Sequence, residues 1–287
     1  MSELISREDR IAKLRGGSWI RYTRAEQILA KLEDLFAAPR VHRMPNLLIV
    51  GETNNGKTMI ARRFHKRHKS DVHFDQQDSH VPIVFVQAPP VPDESRFYNA
   101  ILTELYAPFR ASARVDQRQL QVLRLLEAVG VRVLIIDEIH HVLAGTVSKQ
   151  RHFLNMLKYL GNELMIPIVA IGTRDAFNAI HSDPQLANRF EPALLPKWQM
   201  NEEYHRLLVS LDPIIPLEKK TTLAEPQLAA RILALSEGTI GEICDLLRMS
   251  AFYAIQSGTE KITDIELTNC GYIPPSLRRR PTELAQL

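Results

Sequence analysis

The chain has 287 residues, 45% of them hydrophobic and 24% charged, with a formal net charge of +3. That size and balance suit a soluble globular protein with one large domain, or a core carrying a smaller appendage. They exclude a chain that holds nucleic acid through bulk positive charge, so local clusters must supply any such contact. Cys244 and Cys270 have no CxxC neighbour, and the opening MSELISREDR carries no apolar signal core. Both thiols read as buried or incidental in a reducing compartment, no apolar stretch is as long as a membrane span, and a cytoplasmic protein is expected.

Residues 1–44 read as an N-terminal helical extension, in which WIRYTRAEQILAKLEDLF places Ile28, Leu32 and Leu35 along one face. After Pro45 the pattern alternates. Strands are predicted at Leu47–Val50, Ile83–Gln87, Val133–Ile136 and Ile166–Gly172, with a fifth near Ala193–Leu195. Helices are predicted between them at Thr58–Lys69, Glu94–Tyr106, Gln117–Val129 and Lys149–Asn162. Such alternation predicts an α/β core over 45–199, with a five-stranded parallel sheet between helices. From Asn201 the segments are all helix-like, with Gly and Pro punctuation, which predicts a small helical domain over 200–272. The tail 273–287, YIPPSLRRRPTELAQL without its first residue, is expected to be extended or flexible.

The first predicted strand runs into GETNNGKT, which fits G-x-x-x-x-G-K-[ST] at each fixed position. Gly51, Glu52, Thr53, Asn54, Asn55 and Gly56 would form a loop whose backbone N–H groups point inward as an anion nest. The helix N-terminus, reached at Lys57, Thr58 and Met59, adds partial positive charge. Lys57 supplies a cation for the β- and γ-phosphates of ATP, and the Thr58 hydroxyl is a hard oxygen suited to Mg²⁺. These are the Walker A features.

The run VLIIDE ends a buried strand on two carboxylates, Asp137 and Glu138, as in a Walker B strand. Ligands of α/β sheets gather at that end. Asp137 is placed for the Mg²⁺ shell, and Glu138 is a general base for an attacking water. No N-K-x-D base-reading motif of a GTPase appears, and small-molecule kinases seldom need a catalytic Glu next to the Mg²⁺ Asp, so hydrolysis by activated water is the favoured reading. His140 and His141 follow without an HExxH pattern, so a zinc protease site is not supported. The run His65-Lys66-Arg67-His68 leaves two readings: a metal seat on one helix face, or the commoner solvated basic surface.

Together these pieces resemble the AAA+ ATPases, with a P-loop core and a helical lid. The resemblance implies that Thr173, after the fourth strand, is a first sensor of the γ-phosphate or water. A strand-end hydroxyl is the plainer reading. In SDPQLANRFEP it implies that Arg189 is a finger offered to a neighbouring subunit's nucleotide, against a surface arginine. Gly241 and Glu242 occupy the place where many relatives carry a second sensor arginine, so that sensor is expected to be missing. More narrowly, GETNNGKT, DEIHH, the helix in SEGTIGEICDLLRMSA and the proline-basic tail resemble the transposition ATPases of the TniB/TnsC type, related to the phage Mu target-selection ATPase. That resemblance implies a ring or helical filament of this chain on duplex DNA, and contact with a transposase and a TniQ-type target-selection protein.

A filament on duplex DNA needs cations facing it. Candidates are Arg110 with Arg114 and Lys149 with Arg151, in connections between sheet elements. Arg62, Arg63, Lys66 and Arg67 form a denser run on a helix expected to pack on the sheet. Arg278, Arg279 and Arg280 could bind DNA or dock the transposase, and docking is preferred. Two further readings remain: a helicase-loader or replication-initiator type of AAA+ protein, and a nucleotide-gated scaffold with little turnover.

Overall fold

Burial explains the strand order. The protein is described by a computed structural model over residues 6–16, 19–68, 79–110, 112–181 and 187–278. Every residue is buried in β1 (Asn46–Gly51), β3 (Val133–Asp137) and β4 (Ile168–Gly172). In β2 (Ile83–Gln87) and β5 (Phe190–Leu195) some residues reach the surface. Strands covered on both faces read as continuous apolar runs and lie inside a sheet. The order is β2-β3-β4-β1-β5, all parallel, with the two partly exposed strands at the edges.

β5 begins three residues earlier than its sequence pattern suggested. Pro192 interrupts that pattern, but on an edge strand its missing N–H leaves no partner unsatisfied. It sits opposite Leu48, in a register that runs from Asn46 beside Phe190 to Gly51 beside Leu195.

Parallel neighbours require long crossovers. These contain α3 (Lys57–Arg67), α4 (Glu94–Glu104), α5 (Val115–Ala128), α6 (Val147–Leu164) and α7 (Arg174–His181). Leu48, Val84, Ile136 and Ala170 from the sheet share a core with Phe97 of α4 and Phe153 of α6. The two phenyl rings meet edge to face at 5.3 Å. This compact unit comprises residues 27–53 and 57–195.

The basic run ending α3 is only in part the solvated face that its composition suggested, since Lys66 and Arg67 are exposed while the two histidines are partly covered. His68 Nε2 lies 2.7 Å from a Glu33 carboxylate oxygen, and its ring packs on Phe36. His65 stacks on Phe85, and the Arg62 guanidinium lies 5.8 Å from the same ring. The two histidines have different partners, so they do not form a shared metal seat.

The second unit comprises residues 1–26, 54–56 and 196–287. It holds α1 (Arg7–Arg15), α8 (Glu202–Leu211), α9 (Pro226–Ser236), α10 (Ile240–Ser257), α11 (Asp264–Asn269) and the short α12 (Pro275–Arg278). Asn201 caps α8 by accepting from the Tyr204 N–H at 2.9 Å, and Gly258, with φ +76°, follows the end of α10. Tyr204, Leu208, Ile232, Ile243, Leu246 and Ile262 form its core. The units divide between Glu26 and Gln27, inside α2 (Thr23–Ala37), and not at residue 44.

Residues 275–278 form a helical turn rather than the expected extended tail, because side chains of this unit hold them. Arg279, Arg280 and the rest of the tail lie outside the described residues.

Arg10 ties α1 into the helical unit. Its guanidinium donates to both Glu260 oxygens, at 2.6 and 3.0 Å, and lies 3.0 Å from Glu218. Arg10 and Glu260 are each only 8% exposed. The hydrogen bond from Arg10 outweighs burial and holds the Glu260 carboxyl below its ordinary value. The stabilisation is therefore full above the ordinary carboxylate pKa and disappears as pH falls through the lower folded value. Arg10→Ala should cost about 3 kcal/mol by stranding a buried carboxylate. Urea denaturation at pH 7 measures this, and the gap to wild type should shrink in acid.

Candidate nucleotide site

The sheet order brings β4 between β1 and β3, so the carboxyl ends of these three strands are neighbours. Gly51 ends β1, Asp137 ends β3, and Thr173 follows β4. Each crossover helix starts from such a strand end, which collects loops and helix N-termini on one edge of the sheet.

Lys57 opens α3 and is 8% exposed. Its Nζ donates to the carbonyls of Gly51 at 2.9 Å and Glu52 at 2.7 Å. Burial lowers its pKa, and the charges of Glu138, Asp137 and Glu52 oppose that shift. The next residue, Thr58, donates from Oγ1 to Asp137 Oδ2 at 2.9 Å. A hydroxyl and a carboxylate are thus paired beside a buried ammonium. This is the hard-oxygen donor set that Mg²⁺ takes beside phosphates.

Glu138 has φ +55° and ψ 37°, an uncommon conformation for a side chain of that size. Its N–H donates to Asp137 Oδ1 at 2.9 Å, and its Oε2 lies 3.1 Å from His140 Nδ1. The His141 Nδ1 lies 3.2 Å from the Ala88 carbonyl oxygen. Glu138, His140 and His141 form a cluster whose ligand atoms lie within 4.8 Å of one another. Sequence spacing alone did not reveal it, because a left-handed residue and a 3-10 turn bring the three together. Arg174, whose Nε is 3.7 Å from a Glu52 oxygen, was also missed. Its position one residue beyond Thr173 was the only signal.

The turn of the phosphate loop, residues 54–56, belongs to the helical unit. Asn54 has φ +59° and Gly56 φ +81°. Left-handed residues within a short turn are the backbone conformations from which anion nests are built. The Asn54 carbonyl accepts from the Gly241 N–H at 2.9 Å, and Asn55 Oδ1 accepts from the Ile240 N–H at 3.3 Å. Asn55, 2% exposed, also donates from Nδ2 to the Pro196 carbonyl at 3.1 Å. Gly241 and Glu242, at the place where a second sensor arginine is expected to be missing, thus stand against the loop turn.

The other predicted residues are less concentrated. Thr53 and Met59 are exposed. Thr173 accepts through its backbone from Phe177 in α7. Arg189 lies at the opposite end of the sheet, where its carbonyl accepts from Asn46, the first residue of β1, at 2.8 Å. Five steps along the six-residue β1, at about 3.3 Å each, separate that level from Gly51. Arg189 therefore cannot reach the phosphate loop of its own chain, and its Nη1 donates to Asn162 Oδ1 at 2.8 Å. Arg110, Arg114, Lys149 and Arg151 are all exposed. The first two lie between α4 and α5 and the other two in the first turns of α6, with Arg114 paired to Asp116 at 3.5 Å.

A parallel five-stranded sheet of this order, a glycine-lysine loop after β1, acids at the end of β3 and a separate helical unit are the features of an AAA+ P-loop fold. A family model described as "Bacterial TniB protein" matches residues 10–200, and the chain belongs to that family. Among curated proteins no relative matches.

Solved structures share the fold at low identity. The ORC1 protein of Aeropyrum pernix in complex with DNA has a TM-score of 0.63 and 15% identity, over 91% of this chain and 68% of that one. The ORC2 protein of the same organism, in ADPNP-ADP complexes, has a TM-score of 0.62 and 13% identity, over 90% and 70%. CDC6P from Pyrobaculum aerophilum has a TM-score of 0.59 and 16% identity, over 89% and 68%. Among the described residues no helix is long and apolar enough to cross a membrane.

A Cβ added to Gly241 would lie 2.0 Å from Asn54 Oδ1 and 2.6 Å from the Asn54 carbonyl oxygen. Gly241→Ala is therefore expected to displace the loop turn and destabilise the protein by about 1–3 kcal/mol. Thermal denaturation of the variant beside wild type checks this.

Proposed function

We propose that this chain is an ATP-hydrolysing, DNA-binding regulator of transposition. It assembles on duplex target DNA and recruits or activates a transposase, and hydrolysis drives its disassembly. The observation that carries this reading is the pairing of Thr58 with Asp137 beside buried Lys57, in a member of the TniB family.

The loop from Gly51 to Thr58 binds the triphosphate, with Lys57 exchanging its carbonyl partners for phosphate oxygens. Thr58 and Asp137 hold Mg²⁺, which supplies charge neutralisation at the phosphates. Glu138 accepts a proton from the attacking water, with the His140 ring close beside its carboxylate. Thr173 stands at the strand tip between the two motifs as a first sensor. Arg189 acts only in trans, after leaving Asn162, which makes turnover depend on assembly.

Arg110, Arg114, Lys149 and Arg151 meet DNA phosphates. The basic tail from Arg278 docks the transposase, and a TniQ-type protein is a further partner. Such a protein works in the cytoplasm, where DNA and ATP are available.

The likeness to the origin-recognition protein in complex with DNA favours a second reading, a replication-initiator type of AAA+ protein. Phosphate release with and without duplex DNA, beside transposase pull-down, distinguishes it. A protein that binds ATP but releases no phosphate would be a nucleotide-gated scaffold.

Lys57→Ala should lose Mg²⁺-dependent ATP uptake by calorimetry, and assembly with it. Glu138→Gln should keep ATP, turn over about 10²–10⁴-fold more slowly and persist on DNA by electron microscopy. Rapid disassembly of that variant contradicts the role given to Glu138. Binding to duplex DNA should fall by orders of magnitude between about 50 and 200 mM salt, because phosphate contacts release counterions. A flat salt response in a filter-binding assay would rule out phosphate contact.

A further inference from the structure

Glu242 sits in the first turn of α10 and is 6% exposed. A buried carboxylate is costly unless it is fully partnered. Three side chains supply the partners. Asn54 Nδ2, in the turn of the phosphate loop, donates to Oε1 at 3.0 Å. The Tyr272 hydroxyl donates to Oε2 at 2.6 Å. Arg278 grips both oxygens, Nη1 to Oε1 at 3.1 Å and Nη2 to Oε2 at 2.6 Å. This fork is the strongest geometry available to an arginine and a carboxylate.

Burial alone would push the Glu242 carboxyl up, but the bonds from Arg278, Tyr272 and Asn54 hold it below its ordinary value. The Arg278 cation also lies 5.3 Å from the centre of the Tyr272 ring. Its Nε donates to the Ile273 carbonyl at 2.7 Å, and the Ser276 N–H donates to Glu237 at 2.6 Å. The segment 272–278 is therefore pinned to α10, and Glu242 joins it to the loop residue Asn54.

Asn54 needs such a hold. It is a non-glycine residue with φ +59°, in a loop whose peptide groups must keep one orientation to bind phosphate. Its carbonyl is held by the Gly241 N–H and its side chain by Glu242. Both contacts come from the first turn of one helix.

We propose that Arg278 and Glu242 are positioning residues for the phosphate loop, so that the C-terminal segment sets nucleotide affinity through the chain Arg278–Glu242–Asn54. The inference rests on the reading of Gly51–Thr58 as a triphosphate cradle and adds the control of that cradle. The basic tail assigned above to the transposase begins at the same Arg278. A partner that draws this guanidinium away would loosen ATP binding, and ATP would oppose that partner by the same factor.

The test measures ATP affinity with a fluorescent analogue, and steady-state kcat and KM, on the full chain and its variants. Arg278→Ala should weaken affinity and raise KM about 5- to 20-fold, in the range of a typical coupling, with kcat changed much less. Arg278→Lys should recover part of the loss, since one ammonium can pair but cannot form the fork. Asn54→Ala added to Arg278→Ala should cost no more than the larger single effect, because both act on one contact chain.

If Arg278→Ala fails to fold, Tyr272→Phe removes one donor to Glu242 without changing shape and should give a smaller KM rise in the same direction. Normal affinity in folded Arg278→Ala or, should that variant not fold, in Tyr272→Phe overturns the proposal. Strict additivity of Asn54→Ala and Arg278→Ala does so too. Wild-type protein that takes up no ATP would overturn the nucleotide reading itself, which is a separate result.

Discussion

The buried ammonium of Lys57 is the constraint around which the site is organised. A cation with so little exposure must be surrounded by oxygen. Here the Gly51 and Glu52 carbonyls contact it directly, and the carboxylates of Asp137, Glu138 and Glu52 act on it through charge. That requirement places the loop after β1 beside the end of β3, and the strand order makes this possible by inserting only β4 between them. Thr58, one residue along α3, then meets Asp137 without any further adjustment. The contacts of Lys57 with two carbonyls and the pairing of Thr58 with Asp137 are two consequences of one packing arrangement at the strand ends.

The helical unit shows the same physics applied to stability and to control. Among the described residues it contains three buried carboxylates, two of them matched by an arginine distant in sequence, Glu260 by Arg10 and Glu242 by Arg278, while Glu266 is bonded by its neighbour Thr263. The first pair fixes the N-terminal helix. The second fixes the C-terminal segment and also touches the loop turn. Removing a partner in either case leaves a charge without solvent, so α1 and the segment 272–278 are held by electrostatics as well as apolar packing.

Two of the six non-glycine residues with positive φ among the described residues lie in the candidate site. Asn54 and Glu138 both have positive φ, one in the phosphate loop and one at the position assigned to the base. Conformations of this kind persist where the surroundings over-determine them. Around Asn54 those surroundings are Gly241 and Glu242, and around Glu138 they are Asp137 and His140.

The sequence by itself determined the sheet, the loop and the acids. Short apolar runs rich in β-branched residues fit buried strands, glycines and a lysine at fixed spacing follow one of them, and a pair of carboxylates ends another. These are local signals, carried by neighbours along the chain. The tertiary structure alone decided the partners. It brought Arg10 to Glu260, moved the N-terminal helix into the helical unit, turned the basic end of α3 toward Glu33 and Phe85, and put Arg189 at the far end of the sheet from the loop. It also made residues 275–278 a helical turn where prolines and arginines had suggested an extended tail, because Glu242, 36 residues away, needed a cation. A buried charge requires compensation but does not specify from where in the chain it comes, and only folding selects the residue that arrives.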